Sequence, residues 1–394
     1  MCERPRRAAD AAEPYGTSPT VATDFEAEGL LEGLDDDARA ARRRLLEELE
    51  ADGVPPDELR AAVAEGRLAL VPVERALAPP GPRLRFSEVA EQSGLDPQFL
   101  AALMRALGLP LPQDEQDPVF SDADVEAAQT VAGFRAAGID DEALLETSRV
   151  LGRAMSEVVA ANRSLTARTF FDEGDSEYDV AIRWGEVARE LNPVLDRVMS
   201  YVLHAHQMAQ LRSDVFNLAG LGTDATDVSV AFVDLAGFTR LGEQVPADEL
   251  GGIAGRLTAL ATDAASAPVR LVKMIGDAAM LVSPEPRPLL EALLDIVDAV
   301  EAEGEDFPPA RAGVAYGEAI GRGGDWFGRP VNLASRITDK ARPASVVTTE
   351  DFKELVGGNG FAWSKLPGNR RFKGVSDDLN LYRVRRADPT QPRS

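Results

Sequence analysis

The hydrophobic period of this chain changes once, near Thr226. Before that point apolar residues recur every three to four positions, the spacing that gives a helix one apolar face. After it, short alternating or wholly apolar runs take turns with helical ones, the order of a sheet with helices packed on it. No single fold class satisfies both patterns, so the chain is expected to hold an all-α part and an α+β part. Its 394 residues allow two or three units at roughly 150 residues each.

Helical patterning begins near Leu30 and continues through the charged, Leu/Ala-rich run ARAARRRLLEELEADG, where Gly53 stands as a C-cap before Pro55-Pro56. The Pro-rich ALAPPGP at 76–82 reads as a linker. Two helical units follow, FSEVAEQSGLDPQFLAALMRALGLP (86–110) and a second over 120–155, opened by Ser87 and Ser121, each before an acidic residue in N-cap style. Two more helices are expected between about 176 and 216, the second a linker helix over about 193–216. Residues 1–23 are small, polar and without period, and read as disordered, as does the tail 387–394. The all-α domain is therefore placed at 24–215 and the second domain at 222–386, with the boundary near 220.

In the second domain DVSVAFVDL is a strand and PADELGGIAGRLTALATDAAS a helix. VRLVKMI and AAMLVS are strands about a Gly276-Asp277 turn. PLLEALLDIVDAVEAE is a helix and PARAGVAYGEAIGR a strand. A helix from Pro330 to Ala341 and the strands SVVTT, FAWSKL and LNLYRVR close the domain. A strand-helix-strand-strand-helix-strand order with extra C-terminal strands is α+β of the ferredoxin-like kind.

Composition narrows the function. The net charge is −24, and residues 1–210 hold 21 basic against 40 acidic side chains. Such a surface repels polyanions, so nucleic acid is not expected as a partner. One cysteine, Cys2, excludes an internal disulfide framework and a Cys-based zinc cluster. No run of about 18 apolar residues occurs, and the start MCERPRRAADAAEPYG lacks an apolar stretch behind its arginines, so no transmembrane segment is expected and the chain reads as cytoplasmic.

The chemistry-bearing residues stand at strand ends. Asp234 closes an apolar strand and is followed by Leu235-Ala236-Gly237-Phe238-Thr239, a Gly turn whose backbone amides could face phosphates. Asp277 sits at the tip of the next hairpin, four residues after Lys273. Taken singly, each Asp is an ordinary turn or cap residue. Taken together, two carboxylates on neighbouring strand ends suit magnesium-dependent phosphoryl chemistry, with a phosphorylated substrate completing the coordination. Asn332 and Arg336, four apart behind Pro330, share one helix face and can converge on one ligand. Taken alone, that pair is an ordinary solvated face.

In order and spacing, Phe232-Val-Asp234-Leu-Ala-Gly237-Phe238-Thr239, Lys273-Met-Ile-Gly276-Asp277 and Asp325-x6-Asn332-x3-Arg336 resemble the class III nucleotide cyclases over roughly 226–385. The resemblance implies that Asp234 and Asp277, with the backbone carbonyl of Leu235, hold two Mg2+ or Mn2+ ions. It implies that Lys273 and Asp325 select the base, Asn332 orients the ribose, Arg336 stabilises the transition state, and Lys373 in Phe372-Lys373-Gly374 contacts phosphate. These are adenylate-type residues, so ATP is the implied substrate and 3′,5′-cyclic AMP the product. Lys273 and Asp277 lie roughly 13 Å apart along an extended strand, and spacing alone lets them grip the two ends of one ATP. The resemblance implies instead a homodimer in which one protomer holds the metals and the other supplies the base-selecting and transition-state residues. Gly323-Gly324-Asp325 opens like a diguanylate cyclase signature, but Trp326-Phe327-Gly328 and the Asn332/Arg336 helix depart from it.

Residues 86–146 resemble the winged helix-turn-helix of MerR-type regulators, which gives the alternative of a DNA-binding regulator with an inert cyclase domain. Residues 81–150 hold five basic and thirteen acidic side chains, against the basic face such binding needs. The layout as a whole resembles actinobacterial cyclases whose N-terminal helical domain restrains the catalytic dimer, and a small ligand of that domain is one expected input. His204 and His206, the chain's two histidines, lie in the expected linker helix and are candidates for a pH response near pH 6.

Overall fold

The computed structural model describes residues 23–77, 81–214, 225–367 and 379–387. Cys2, Lys373, the expected boundary near 220 and almost all of both termini lie outside them. The chain divides into two units, Met1–Leu203 and His204–Ser394.

The first unit is helical. It contains α1 (Asp36–Ala51), α2 (Pro56–Ala64), α3 (Val71–Leu77), α4 (Phe86–Ser93), α5 (Pro97–Ala106), α6 (Asp122–Ala136) and α7 (Asp141–Phe170). The last helix, α8 (Glu177–Asp214), starts in this unit and runs past Leu203. Caps set several starts: Asp35 accepts from Ala38 N–H at 2.9 Å and Asp96 from Phe99 N–H at 2.8 Å. Ser121 caps α6 in a reciprocal box with Asp124. Ser87 does not cap α4. The helix begins one residue earlier, at Phe86, because Glu88 accepts from Arg85 N–H at 2.7 Å and so fixes Arg85 as the cap. Gly53 follows the cap residue Asp52 at φ +80° and turns the chain toward α2.

The two helices expected over 176–216 are one. Pro193 sits inside α8 and removes one backbone donor. The helix absorbs that loss because its first turns are anchored: Tyr178 donates to Glu48 at 2.5 Å, Arg42 pairs with Glu177 at 2.7 Å, and Ala181 is buried in a core with Leu45, Leu46 and Leu59. A second core joins α4, α5 and α6 through Val89, Leu100, Leu103 and Val125. Beside it lies a cavity of about 590 Å3 lined by Leu100, Met104, Phe120, Val131, Phe134 and Leu144. Among the described residues no helix is long and apolar enough to cross a membrane.

The second unit is α+β. Its elements are β1 (Ala225–Leu235), α9 (Phe238–Leu241), α10 (Ala247–Ala264), β2 (Arg270–Ile275), β3 (Ala278–Ser283), α11 (Pro286–Ala302) and β4 (Ala310–Arg322). They continue with β5 (Asp325–Gly328), α12 (Arg329–Lys340), β6 (Ser345–Thr349), α13 (Glu350–Val356), β7 (Phe361–Lys365) and β8 (Leu381–Arg386). The sheet runs β2-β3-β1-β4-β6-β8-β7, with β5 folded back on β4. Its first four strands are antiparallel in ferredoxin-like order, and β6 adds parallel to β4. Side chains alternate across the sheet. Ala231, Val233 and Leu281 face α10 and α11, whereas Val230 and Met280 face α12 through Leu333 and Ile337. Gly313 lets α12 lie close on β4, since a Cβ there would come within 2.4 Å of Thr338 N.

Candidate active site

Two groups of polar side chains stand on or beside the sheet face that α12 covers. In the first, β1 carries Asp234 to its end with Ala278 of β3 on one side and Arg311 of β4 on the other. Asp277, one residue before Ala278, is thereby brought beside it, and Leu235 N–H donates to Asp277 O at 3.3 Å. Burial, and then the hydrogen bond with Asp234, push the Asp277 carboxyl above the ordinary carboxylate range. The hairpin tip that holds Asp277 turns through Gly276 at φ +61°.

Arg311 completes this group. Its Nη2 and Nε lie 2.6 and 3.0 Å from Asp234 Oδ2, and its Nη1 donates to Asp339 O at 3.1 Å. Sequence reasoning passed over Arg311. The available signal was a lone cation at the start of the otherwise apolar strand ARAGVA. Among the described residues no cluster of three or more His, Cys, Asp or Glu side chains is placed to hold a metal. The protein donors here are two carboxylates and the backbone. Hard oxygens in that number fit a magnesium-type cation that takes its remaining ligands from a substrate.

In the second group Lys273 of β2 and Asp325 of β5 form an ion pair across 52 residues of sequence. Asp325 also accepts from Trp326 N–H at 2.8 Å, which orients the carboxylate. Lys273 pairs with Met280 and therefore shares the α12 face with Asp234. A cation and a carboxylate held side by side offer one donor and one acceptor to a planar ring.

α12 begins after Gly328, with Pro330 in its first turn. Exposed Asn332 donates to Gly328 O at 3.3 Å, and Arg336 is half-buried one turn further on. No hydrogen bond or ion pair among the described residues joins either of them to the two groups above. Leu235 is buried, Gly237 takes φ +87°, and Phe238 and Thr239 open α9. His204 and His206 are both exposed on α8. α5, the second helix of the MerR-like element, carries one basic residue, Arg105.

The description "Adenylate cyclase regulatory domain" matches residues 23–213 as a family model. A pH-sensitive adenylate cyclase of Mycobacterium tuberculosis is 37% identical over 374 residues, 93% of each chain. This chain belongs to the adenylate cyclases. An adenylate cyclase of Streptomyces coelicolor shares 30% identity over 68% of this cyclase and 71% of its own length. Among solved structures, the adenylyl cyclase CyaB from P. aeruginosa aligns at 20% identity over 44% of this chain and all of that one, with a TM-score of 0.39, too distant to add to the assignment. The region that the regulatory-domain model matches is helical, and a ferredoxin-like α+β unit follows it.

Proposed function

We propose that this cyclase converts ATP to 3′,5′-cyclic AMP and pyrophosphate by a two-metal mechanism at sites shared between two copies of the chain. The adjacency of Asp234 and Asp277, two partly buried carboxylates of which one is driven toward its protonated form, carries the reading. That pair calls for positive charge, and the donor set suits Mg2+ or Mn2+. Asp234, Asp277 and the Leu235 carbonyl would hold two such ions, which when bound supply Lewis acidity at the ribose 3′-hydroxyl and the leaving phosphates.

The chain's own groups do the rest. Lys273 donates to adenine N1 and Asp325 accepts from the N6 amino group, so their ion pair opens to admit the base. Guanine presents the opposite pattern and would leave both unpaired, about 1–3 kcal/mol for each group. Asn332 orients the ribose. Arg336 meets the charge that develops on the α-phosphoryl oxygens as the 3′ oxygen attacks in line. The amides of the Gly237-Phe238-Thr239 turn and Lys373 contact the phosphates. One protomer contributes Asp234, Leu235 and Asp277 to a site and the other Lys273, Asp325, Asn332 and Arg336.

The catalytic domain extends over 222–386 and works in the cytoplasm. The helical domain over 24–215 restrains it, and two inputs are supported. The pH-sensitive relative supports acidity acting through His204 and His206 in the linker region. The cavity of about 590 Å3 supports a small apolar ligand. Release of cyclic AMP from labelled ATP by the purified chain with Mg2+ or Mn2+ tests the reaction. Asp234→Ala should abolish release, and turnover that persists in this variant would contradict the metal assignment.

A further inference from the structure

Strand β2 carries one residue more than β3 can oppose. Leu271 stands across from Leu281 and Lys273 from Met280, so two steps along β2 match one along β3, and Val272 is the extra residue of a β-bulge. β2 ends the sheet, so the bulge disturbs pairing on one side only. In a regular strand, side chains that share a face lie an even number of residues apart. Leu271 and Met274 are three apart, yet both pack against the cluster under α10 and α11. Val272 packs against the opposite cluster, under α12, and Lys273, across from buried Met280 of that cluster, lies on the same side. Two consecutive residues thus share the α12 face, and they divide its work. Val272 covers the apolar cluster, while Lys273, its side chain 39% exposed, pairs with Asp325 of β5. A regular strand has one residue opposite Met280, which would have to do both.

We propose that Val272 is a positioning residue for base selection: the bulge it forms lifts Lys273 off the cluster under α12 and holds its ammonium group against Asp325. Val272 acts through Lys273 and not on the nucleotide. The inference rests on the proposed role of Lys273 in choosing the base, and it adds what aims that lysine. Register makes the claim separable from folding. The pairs Lys273–Met280, Met274–Ala279 and Ile275–Ala278 are counted from the Gly276-Asp277 turn, and Leu271–Leu281 lies just beyond the bulge. Deletion of Val272 joins the two stretches into a regular strand in which each of these residues keeps its partner and its face. What is lost is the displacement of Lys273.

The test compares kcat/KM for ATP over GTP, with the two nucleotides in competition, in four full-length chains: the parent, Lys273→Gln, the chain with Val272 deleted, and the chain with both changes. Deletion should lower the ratio about tenfold, the scale of one displaced hydrogen bond to a charged group, and should lower it no further where Lys273 is already replaced. An unchanged ratio on deletion, beside a lowered one in Lys273→Gln, overturns the positioning role and leaves base selection standing. A loss on deletion that is the same with and without Lys273 also overturns it, since Val272 would then act by general packing. A ratio unmoved by Lys273→Gln overturns the reading of Lys273 and the inference with it. Should the deleted chain not fold, the exchange Val272→Lys/Lys273→Val keeps length and composition and moves the ammonium group to the other bulge position. It should lose selectivity as Lys273→Gln does, and retained selectivity overturns the proposal.

Discussion

Arg311 and Asp234 meet across neighbouring strands, with two guanidinium nitrogens 2.6 and 3.0 Å from a single carboxylate oxygen. Asp277 lies on the other side of Asp234, so one cation serves two acidic groups. A divalent ion entering this site competes with Arg311 for Asp234. Coulomb attraction between unit charges whose centres lie about 4 Å apart is about 4 kcal/mol at an effective dielectric of 20. We expect Arg311→Gln to tighten Mn2+ binding about tenfold, or about 1.4 kcal/mol, in a titration followed by electron paramagnetic resonance. Weaker binding would mean that Arg311 instead holds Asp234 in its ligating position.

The Lys273–Asp325 pair predicts base selectivity. Lys273→Gln should lower the ratio of kcat/KM for ATP over GTP by about 1–3 kcal/mol, measured by competing the two nucleotides. An unchanged ratio beside a reduced kcat would place Lys273 outside base recognition.

Much of the catalytic unit was legible from periodicity because its strands are bounded by sharp signals. DVSVAFVDL ends at Asp234-Leu235, shortly before Gly237, and Gly276-Asp277 divides two apolar runs. β5 was not legible, since Asp325–Gly328 is four residues long and owes its strand form to pairing with β4. α9 and α13, of four and seven residues, were too short to show a period. In the helical unit Pro193 was read as a helix start, a local rule overridden by anchorage of α8 through Tyr178 and Ala181. Arg311 was missed because its partner Asp234 lies 77 residues away, and the one local trace, a lone cation in an apolar strand, does not say what it meets.

Glu350 gives a pH-dependent contribution to stability. Hydrogen bonds from Asn380 at 2.8 Å and Tyr382 at 2.7 Å hold its carboxyl below the ordinary range. A depressed folded pKa stabilises the fold above the unfolded value near 4.3 and ceases to do so as pH falls through the folded value. The thermal midpoint of Glu350→Gln should therefore lie below that of the parent at pH 6, with the gap closing toward pH 3. A gap of constant size across that range would contradict the assignment.

His204 and His206 face solvent, and no ionic partner of either occurs among the described residues. Activity of the full chain is expected to rise as pH falls through about 6, and His204→Ala/His206→Ala should flatten that rise. Identical profiles for parent and double variant would remove the histidines from regulation.

The shared site is tested most directly by mixing inactive chains. On the proposed roles, Asp234→Ala removes a metal ligand and Arg336→Ala removes the transition-state cation. If each site draws these residues from different protomers, a mixed dimer has one site with both defects and one intact site. Cyclic AMP formation should return when the two purified variants are combined, approaching a quarter of parental activity at equal amounts, because half of randomly paired dimers are mixed and each has one good site of two. Failure of activity to return in a mixture shown to exchange subunits would contradict the account.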